Sequence, residues 1–342
     1  AVLAMEAAQR GRRAVVVTID PARRLADALG LDGIGNVPKA IVGDWPGSLH
    51  AVMLDTKSTF DDLVVRYSSD AAQTERILDN RFYRNISGAL SGTQEYMAME
   101  KLYELHADTD FDLVVVDTPP TRNALDFLDA PRRLTRFLDH RLYRVLTAPT
   151  RGVMRAVNAA AQGFIRSVSK VVGADVFDDA IAFFSAFEGM EQGFKERAAR
   201  VLQLLSDERT SFVLVASPKR DTVAEAHFFA EKLGEAAIPV RALIVNRMHP
   251  QFTDQLPEAL RERSRTLEGT DLGGLYRNLA DFALVAAREE QHLGGLAEQV
   301  APAPVVRVPF LRSDVHDLTG LAEIADELFG DPSASPRRVA PT

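Results

Sequence analysis

The chain has 342 residues, 46% of them hydrophobic and 26% charged, and 40 basic against 48 acidic side chains give a net charge of −8. These are the proportions of a folded globular protein, and the acidic balance argues against general nucleic-acid binding, which needs a basic surface. The absence of cysteine excludes disulfides, thiolate zinc sites, iron–sulfur clusters and a cysteine nucleophile.

The predicted elements alternate between helix and strand. Residues 1–9 have a helical pattern without a capping residue, and Gly11 follows as a C′ glycine. A helix that lacks its start predicts that the chain is a fragment of a longer protein. Six β-branched runs follow, four with the continuous apolar cores of parallel strands covered on both faces, which predicts a doubly wound, mainly parallel α/β sheet. These runs cover residues 14–20, 49–55, 111–118, 211–217, 240–246 and 305–310.

One segment interrupts this alternation. Residues 124–207 contain no strand candidate, and apolar residues recur there at spacings of three and four, so we predict a helical insertion. The Pro/Ser/Arg-rich segment 331–342 is predicted to be a disordered tail. The predicted organisation is a single α/β domain over residues 1–330 with the insertion inside it.

Two aspartates are candidates for chemistry because each follows an apolar strand, at the sheet edge where open α/β folds bind ligands. Asp20 comes after the first strand, although on spacing alone the favoured explanation is an N-cap before Pro21, in a helix closed by Gly30. Asp117 ends a Walker-B-like strand, whose carboxylate would organise Mg²⁺ beside a phosphate, but such a residue also caps turns.

Other candidate motifs are weak. The glycines at 30, 33 and 35 follow a helix instead of a strand, and no glycine stands at the third position that the spacing of a dinucleotide fingerprint requires. Both departures disfavour a Rossmann-type oxidoreductase. The seven histidines contain no metal-binding spacing, and no GxSxG nucleophile elbow is present.

Three ordered motifs resemble the ArsA family, which comprises arsenical-pump ATPases and the guided-entry ATPases that deliver tail-anchored proteins. The motifs are TIDPA (18–22), VDTPPT (116–121) and IVNR (244–247). The strings SGTQEYMAMEK (91–101) and NALDFLDAP (123–131) are similar to actinobacterial members, and the resemblance extends to about residue 330. It implies a P-loop NTPase fold of the deviant-Walker class and a dimer that binds ATP and Mg²⁺ near its interface.

The resemblance also implies roles for individual residues. Asp20 matches the aspartate that activates the attacking water, and Asp117 matches the aspartate near Mg²⁺, which it would contact through water. Asn246 and Arg247 match the adenine-reading segment, and Pro309 and Phe310 fall in the loop beside the base. The matching switch residues are Pro21, Arg23, Thr118, Pro120 and Thr121.

Departures from the family pattern limit this comparison. The glycine-rich loop ending in GKT is absent, since none of the seven lysines follows a glycine, so the chain as given is expected to be a poor ATPase. Without cysteine, arsenite binding by thiols and interfacial zinc are not expected. Arg122-Asn123 replaces the usual Gly-His, and Arg23-Arg24 replaces His-Asn or His-Ser, where we favour a surface role over phosphate binding.

Two functional hypotheses follow. The first is an ATPase whose dimer uses the nucleotide cycle to change the conformation of a helical subdomain that binds a client or partner. The alternative is a non-hydrolysing regulatory or scaffold subunit that pairs with a catalytically competent paralogue. The first hypothesis leaves homodimer and heterodimer open, whereas the second requires a heterodimer. Both predict no nucleic-acid partner and a protein that is cytoplasmic, either free or peripheral to the membrane.

The aromatic stripe of the insertion has two interpretations. It could contact a hydrophobic protein client, as guided-entry members do, or form the core of the insertion itself. The candidate residues are Phe177, Phe184, Phe187, Met190 and Phe194. The basic residues between 151 and 170 similarly suit either an acidic membrane surface or an ordinary solvated face.

Overall fold

The computed structural model describes residues 1–19, 24–30, 35–86, 93–107, 110–118, 121–140 and 174–330. They form a mixed α/β structure with parallel sheets that groups into two compact units, one made mainly of the residues up to Asp207 and the other mainly of those from Glu208 onward. The predicted mainly parallel α/β class is confirmed, and the described strands are arranged in a four-stranded and a three-stranded sheet. The single domain over residues 1–330 stays a prediction, and the proposed tail lies outside the described residues.

The first unit combines a four-stranded sheet with helices. Its strands are β1 (Arg13–Thr18), β2 (Lys39–Ala40), β3 (Ser48–Met53) and β4 (Leu113–Asp117). Its helices are α1 (Val2–Gln9), α2 (Arg24–Ala28), α3 (Thr56–Tyr67), α4 (Ala71–Leu78), α5 (Arg81–Ile86), α6 (Thr93–Ala107), α7 (Thr121–Asp139), α8 (Ala174–Ala186) and α9 (Glu191–Leu205).

The strand order in this sheet is β2-β3-β1-β4. β1 is parallel to both neighbours, while the two-residue β2, which the sequence did not indicate, is antiparallel to β3. Val15, Val16 and Val17 of β1 are fully buried, as the continuous apolar run predicted. The valines of β4 are only half-buried because β4 is an edge strand.

In the range of the predicted insertion, the structure describes helices α7, α8 and α9, and the described part of 124–207 contains no strand. The single amphipathic stripe that we predicted is divided into α8 and α9 by a turn at Gly189, whose φ of +91° suits glycine. The aromatic residues of these helices pack against α3 and α5 in one hydrophobic cluster. The stripe is therefore the inner face of two helices.

The second unit has a three-stranded parallel sheet in the order β5-β6-β7. Its strands are β5 (Phe212–Ala216), β6 (Val240–Met248) and β7 (Val305–Pro309), and its helices are α10 (Arg220–Glu235), α11 (Pro257–Thr266), α12 (Asp271–Val300) and α13 (Leu318–Phe329). Leu293, Leu296 and Val300 of α12 and Val223, Ala226 and Ala230 of α10 pack on β5 and β6. None of the helices described in either unit is long and apolar enough to cross a membrane.

Candidate functional site

The carboxyl edge of the first sheet carries Asp117. This residue ends β4 and pairs in register with Thr18, the last residue of β1, whose side chain is buried. Asp117 itself is exposed. The predicted Asp20 lies two residues beyond Thr18, outside the described residues.

Helix α6 begins at the same edge. Gln94 Nε2 donates a hydrogen bond to the carbonyl of Ile19, the residue after β1, at 3.3 Å. Oε2 of the next residue, Glu95, is buried without a hydrogen-bond partner among the residues that the structure describes. A buried carboxylate oxygen needs a donor or a cation, so Glu95 is a polar feature of α6 that sequence reasoning did not single out.

The remaining switch candidates are only partly described. Thr118 is exposed and directly follows Asp117. Thr121 is the first residue of α7, and only the backbone of Thr121 is described. Pro21, Arg23 and Pro120 lie outside the described residues. Their switch roles stay predictions.

The carboxyl edge of β6 and β7 brings together four of the predicted residues. Asn246 pairs with Val308, and Met248 pairs with Pro309, so that Arg247 is an extra residue in a bulge. The Phe310 N–H donates to the Met248 carbonyl at 2.8 Å, which continues the pairing one residue beyond β7. The strand pairing therefore gathers Asn246, Arg247, Pro309 and Phe310 at one edge, and their roles toward a nucleotide stay predictions.

Two further residues at this edge were missed in the sequence. The backbone N–H of His249 donates to Glu289 Oε2 at 2.8 Å, and its ring Nδ1 lies 2.7 Å from Glu289 Oε1. The His249 ring also packs against the Phe310 ring in an edge-to-face arrangement, with centroids 5.1 Å apart. No local spacing indicates this pair, because Glu289 lies on α12, 40 positions away in the chain.

Three of the predicted client residues belong to a core in this structure. Phe187, Met190 and Phe194 are 6%, 1% and 1% exposed, and Phe194 packs on the rings of Tyr67 and Phe187. This burial contradicts an exposed client surface at these three residues and agrees with the alternative that they form the core of the insertion. Phe184 is half-buried, and the side chain of Phe177 is not described.

Comparison with known proteins identifies the family. A family model described as "Anion-transporting ATPase" matches residues 1–288. The chain is 21% identical over 286 residues to the "ATPase ASNA1 homolog" of Cryptosporidium parvum, which covers 82% of this chain and 70% of that protein. It is 20% identical over 327 residues to "ATPase get3" of Schizosaccharomyces japonicus, and this match covers 96% of this chain and 86% of that protein.

A third relative is the "Arsenical pump-driving ATPase" of Acidiphilium multivorum, which is 23% identical over 336 residues, with 94% of this chain and 50% of that protein covered. The family match covers most of the chain and includes β1, the Asp117 edge and the Asn246 segment. The resemblance recognised in the three motifs is confirmed, and the chain belongs to the ArsA family of anion-transporting ATPases.

Proposed function

We propose that this protein is an ATPase that binds Mg²⁺-ATP and hydrolyses it to drive a conformational cycle in a dimer. The observation that carries the proposal is the gathering of Asn246, Arg247, Pro309 and Phe310 at the edge of β6 and β7. The names of the relatives, which call them ATPases, support it.

At the β6–β7 edge, the proposed ligand is the adenine base. The Asn246 amide can both donate and accept, as the edge of adenine requires. Phe310 is 45% exposed, which leaves part of its ring available for stacking on a base. These two side chains therefore suit recognition and packing of the same planar group.

At the β1–β4 edge, the proposed ligand is Mg²⁺. The described residues contain no cluster of three or more metal-ligating side chains, but Mg²⁺ keeps several of its waters and needs few protein oxygens. The exposed carboxylate at the end of β4 fits that requirement. When bound, Mg²⁺ would neutralise charge on the phosphates, while Asp117 accepts hydrogen bonds from its waters and Asp20 orients the attacking water.

Helix α6 is the proposed route from this edge to the helices. Gln94, in the first turn of α6, contacts Ile19. Further along the same helix, Glu100 Oε2 accepts a hydrogen bond from Arg197 Nε of α9 at 2.7 Å. Both residues of the pair are buried, so a shift of α6 would disturb α9 directly. We propose that this connection transmits the nucleotide state to the helices that contact a client or partner.

Equilibrium binding tests the base site. We expect the product of the complete gene to bind ATP more tightly than GTP, measured by displacement of N-methylanthraniloyl-ATP. Asn246→Ala should weaken ATP about tenfold, because a half-buried hydrogen-bonding partner of the base is lost, and should leave displacement by inorganic tripolyphosphate unchanged. Asn278→Ala, at an exposed position of α12, is the matched control. Equal affinity for ATP and GTP, with no effect of Asn246→Ala, would contradict the proposal.

Client binding is tested at Phe184, the half-buried candidate. We expect Phe184→Asp to reduce capture of a Leu/Ala helical peptide of about 20 residues while the protein stays folded. Phe194→Ala is the core comparison and should lower the free energy of unfolding by about 3–5 kcal/mol. Undiminished capture by a folded Phe184→Asp variant, followed by fluorescence anisotropy, would argue against this surface.

The alternative is a scaffold subunit that pairs with a competent paralogue and does not itself turn over ATP. Sedimentation of the chain alone and with a paralogue, in the presence and absence of ATP, distinguishes the homodimer from the heterodimer.

A further inference from the structure

The end of β6 has an unusual backbone. Arg247 has a φ of +65°, in the left-handed region that costs a side-chain-bearing residue free energy. It is also the extra residue in the bulge between Asn246 and Met248. Bulges of this kind re-aim neighbouring side chains, and a strained residue persists only where surrounding contacts hold it. The contacts that hold the backbone at Arg247 therefore help to fix the direction in which the neighbouring Asn246 side chain points.

Two hydrogen bonds hold the chain immediately after the bulge. One runs from the Phe310 N–H to the Met248 carbonyl, and the other from the His249 N–H to Glu289. The Glu289 side chain is 13% exposed, so its bonds are shielded from water more than those of a surface pair. Since hydrogen bonds to a carboxylate are stronger than neutral ones, Glu289 anchors this segment firmly to α12.

The same carboxylate fixes the ring of His249. A carboxylate only accepts hydrogen bonds, so Nδ1 must carry the proton in the 2.7 Å contact with Glu289 Oε1. With its backbone and ring held by the two oxygens of one side chain, His249 has little freedom to rotate. Its ring then supports the Phe310 ring at 5.1 Å, at an interplanar angle of 65°.

We propose that Glu289 and His249 are positioning residues that pre-organise the adenine-binding edge. Glu289 holds the segment that follows the Arg247 bulge, and His249 holds the ring of Phe310, so that Asn246 and Phe310 face the base together. This inference rests on the proposed nucleotide function and names residues that act through others. It predicts a loss of affinity for the base with no loss of affinity for the phosphates.

The experiment compares full-chain variants by displacement of N-methylanthraniloyl-ATP. We expect Glu289→Ala to weaken ATP about tenfold, to narrow its preference over GTP, and to leave tripolyphosphate unchanged. Glu289→Gln keeps an acceptor and should recover most of the affinity. His249→Phe keeps a ring against Phe310 but loses the Nδ1–H, so its effect should be intermediate.

Glu290→Gln is the matched control. Glu290 is the next residue on α12 and makes an ion pair with Arg307 of β7 at 2.6 Å, so it also links the helix to the sheet. Hydrogen exchange without nucleotide gives a second measurement, and the amides of His249 and Phe310 should exchange faster in Glu289→Ala but not in Glu290→Gln.

The outcomes separate the two claims. If the unmodified chain binds ATP and Glu289→Ala binds it equally well, or loses ATP and tripolyphosphate in parallel, the positioning role is overturned while the proposed function stands. If the unmodified chain binds no adenine nucleotide, both are overturned. Selective loss of ATP together with faster exchange at His249 and Phe310 supports the positioning role.

Discussion

At the scale of single residues, Arg247 combines a candidate nucleotide-binding position with a strained backbone. A left-handed φ costs a residue with a Cβ about 1–2 kcal/mol, and natural bulges often place glycine there. An arginine with a φ of +65° is therefore maintained in spite of its conformational cost. Strain of this kind is concentrated at functional sites.

We predict that Arg247→Gly leaves the free energy of unfolding unchanged or raises it by up to about 1 kcal/mol, because relief of strain offsets the entropy of glycine. Arg247→Val should lower it by about 1–2 kcal/mol, since a β-branched residue tolerates this region poorly. Urea denaturation measures both.

Arg241, an exposed residue earlier in β6, gives the control, because there valine should be better tolerated than glycine. The same order of stabilities at both positions would show that the backbone at Arg247 is not the cause.

The apolar runs in the sequence were enough to place Asp117 and the Asn246 segment at the carboxyl ends of their strands, because each lies where its run finishes. The contact of His249 with Glu289 could not be predicted in this way. It depends on how α12 packs on β6, and the two residues are 40 positions apart. The burial of Phe187 and Phe194 was undecided for the same reason, since an amphipathic stripe shows which face is apolar but not what covers it.

At the scale of secondary structure, two helices end with the same hydrogen-bond pattern but different residues. After α1, the Gly11 N–H bonds to the Ala8 carbonyl and the Arg12 N–H to the Ala7 carbonyl. After α10, Ala237 and Ile238 bond to Gly234 and Leu233 in the same way. Both are Schellman motifs, with φ values of +81° at Gly11 and +58° at Ala237.

Replacing Ala237 with glycine should stabilise the second unit by about 1 kcal/mol, because glycine adopts positive φ without a steric penalty. Gly11→Ala should destabilise the first unit by a similar amount. Chemical denaturation of each variant gives the two free energies of unfolding.

Ala236, whose φ is −83°, is the neighbouring control, and Ala236→Gly should cost stability. Ala237→Gly as destabilising as Ala236→Gly would rule out the proposed relief of strain.

The sequence predicted the six main strands because their apolar runs are continuous and bounded by turn residues. It did not predict β2, since two residues carry no periodicity. Nor did it predict the break between α8 and α9. Apolar residues recur at spacings of three and four on both sides of Gly189, and only the backbone conformation shows the turn there.

At the scale of the larger units, the helices of the first unit enclose a buried ion pair. Glu100 of α6 and Arg197 of α9 are 2% and 7% exposed, and Glu100 also accepts a hydrogen bond from Tyr96 at 2.8 Å. The Arg197 guanidinium lies 3.8 Å from the centroid of the Tyr103 ring. Burial raises the pKa of Glu100, and the charge of Arg197 opposes this without cancelling it.

A raised pKa in the folded state means that the folded protein binds the Glu100 proton more tightly than the unfolded chain. The contribution of Glu100 to stability therefore falls as pH rises above 4.5, its ordinary pKa. Glu100→Gln removes this titration, so its free energy of unfolding relative to the unmodified protein should rise between pH 4.5 and pH 7. Urea denaturation across this range measures the difference. If the stability of Glu100→Gln relative to the unmodified protein falls over the same range, the effect of the Arg197 charge on the pKa of Glu100 outweighs the effect of burial.

The central claim is that the protein is an ATPase that uses the carboxyl edge of β1 and β4, and release of phosphate from Mg²⁺-ATP tests it most directly. The assay uses the product of the complete gene, with variants at Asp20 and at the two ends of β4. Asp112 precedes β4 and Asp117 ends it, and Arg13 beside Asp112 lowers the pKa of that carboxyl to about 2. Asp112→Asn is therefore a control with the same chemical change at the opposite edge.

We predict that Asp20→Asn and Asp117→Asn reduce turnover about a hundredfold or more, as expected for groups that orient the attacking water and the waters of Mg²⁺, while Asp112→Asn leaves it within about twofold. Turnover that is absent from the unmodified protein, or unchanged by both Asp20→Asn and Asp117→Asn, would contradict the account.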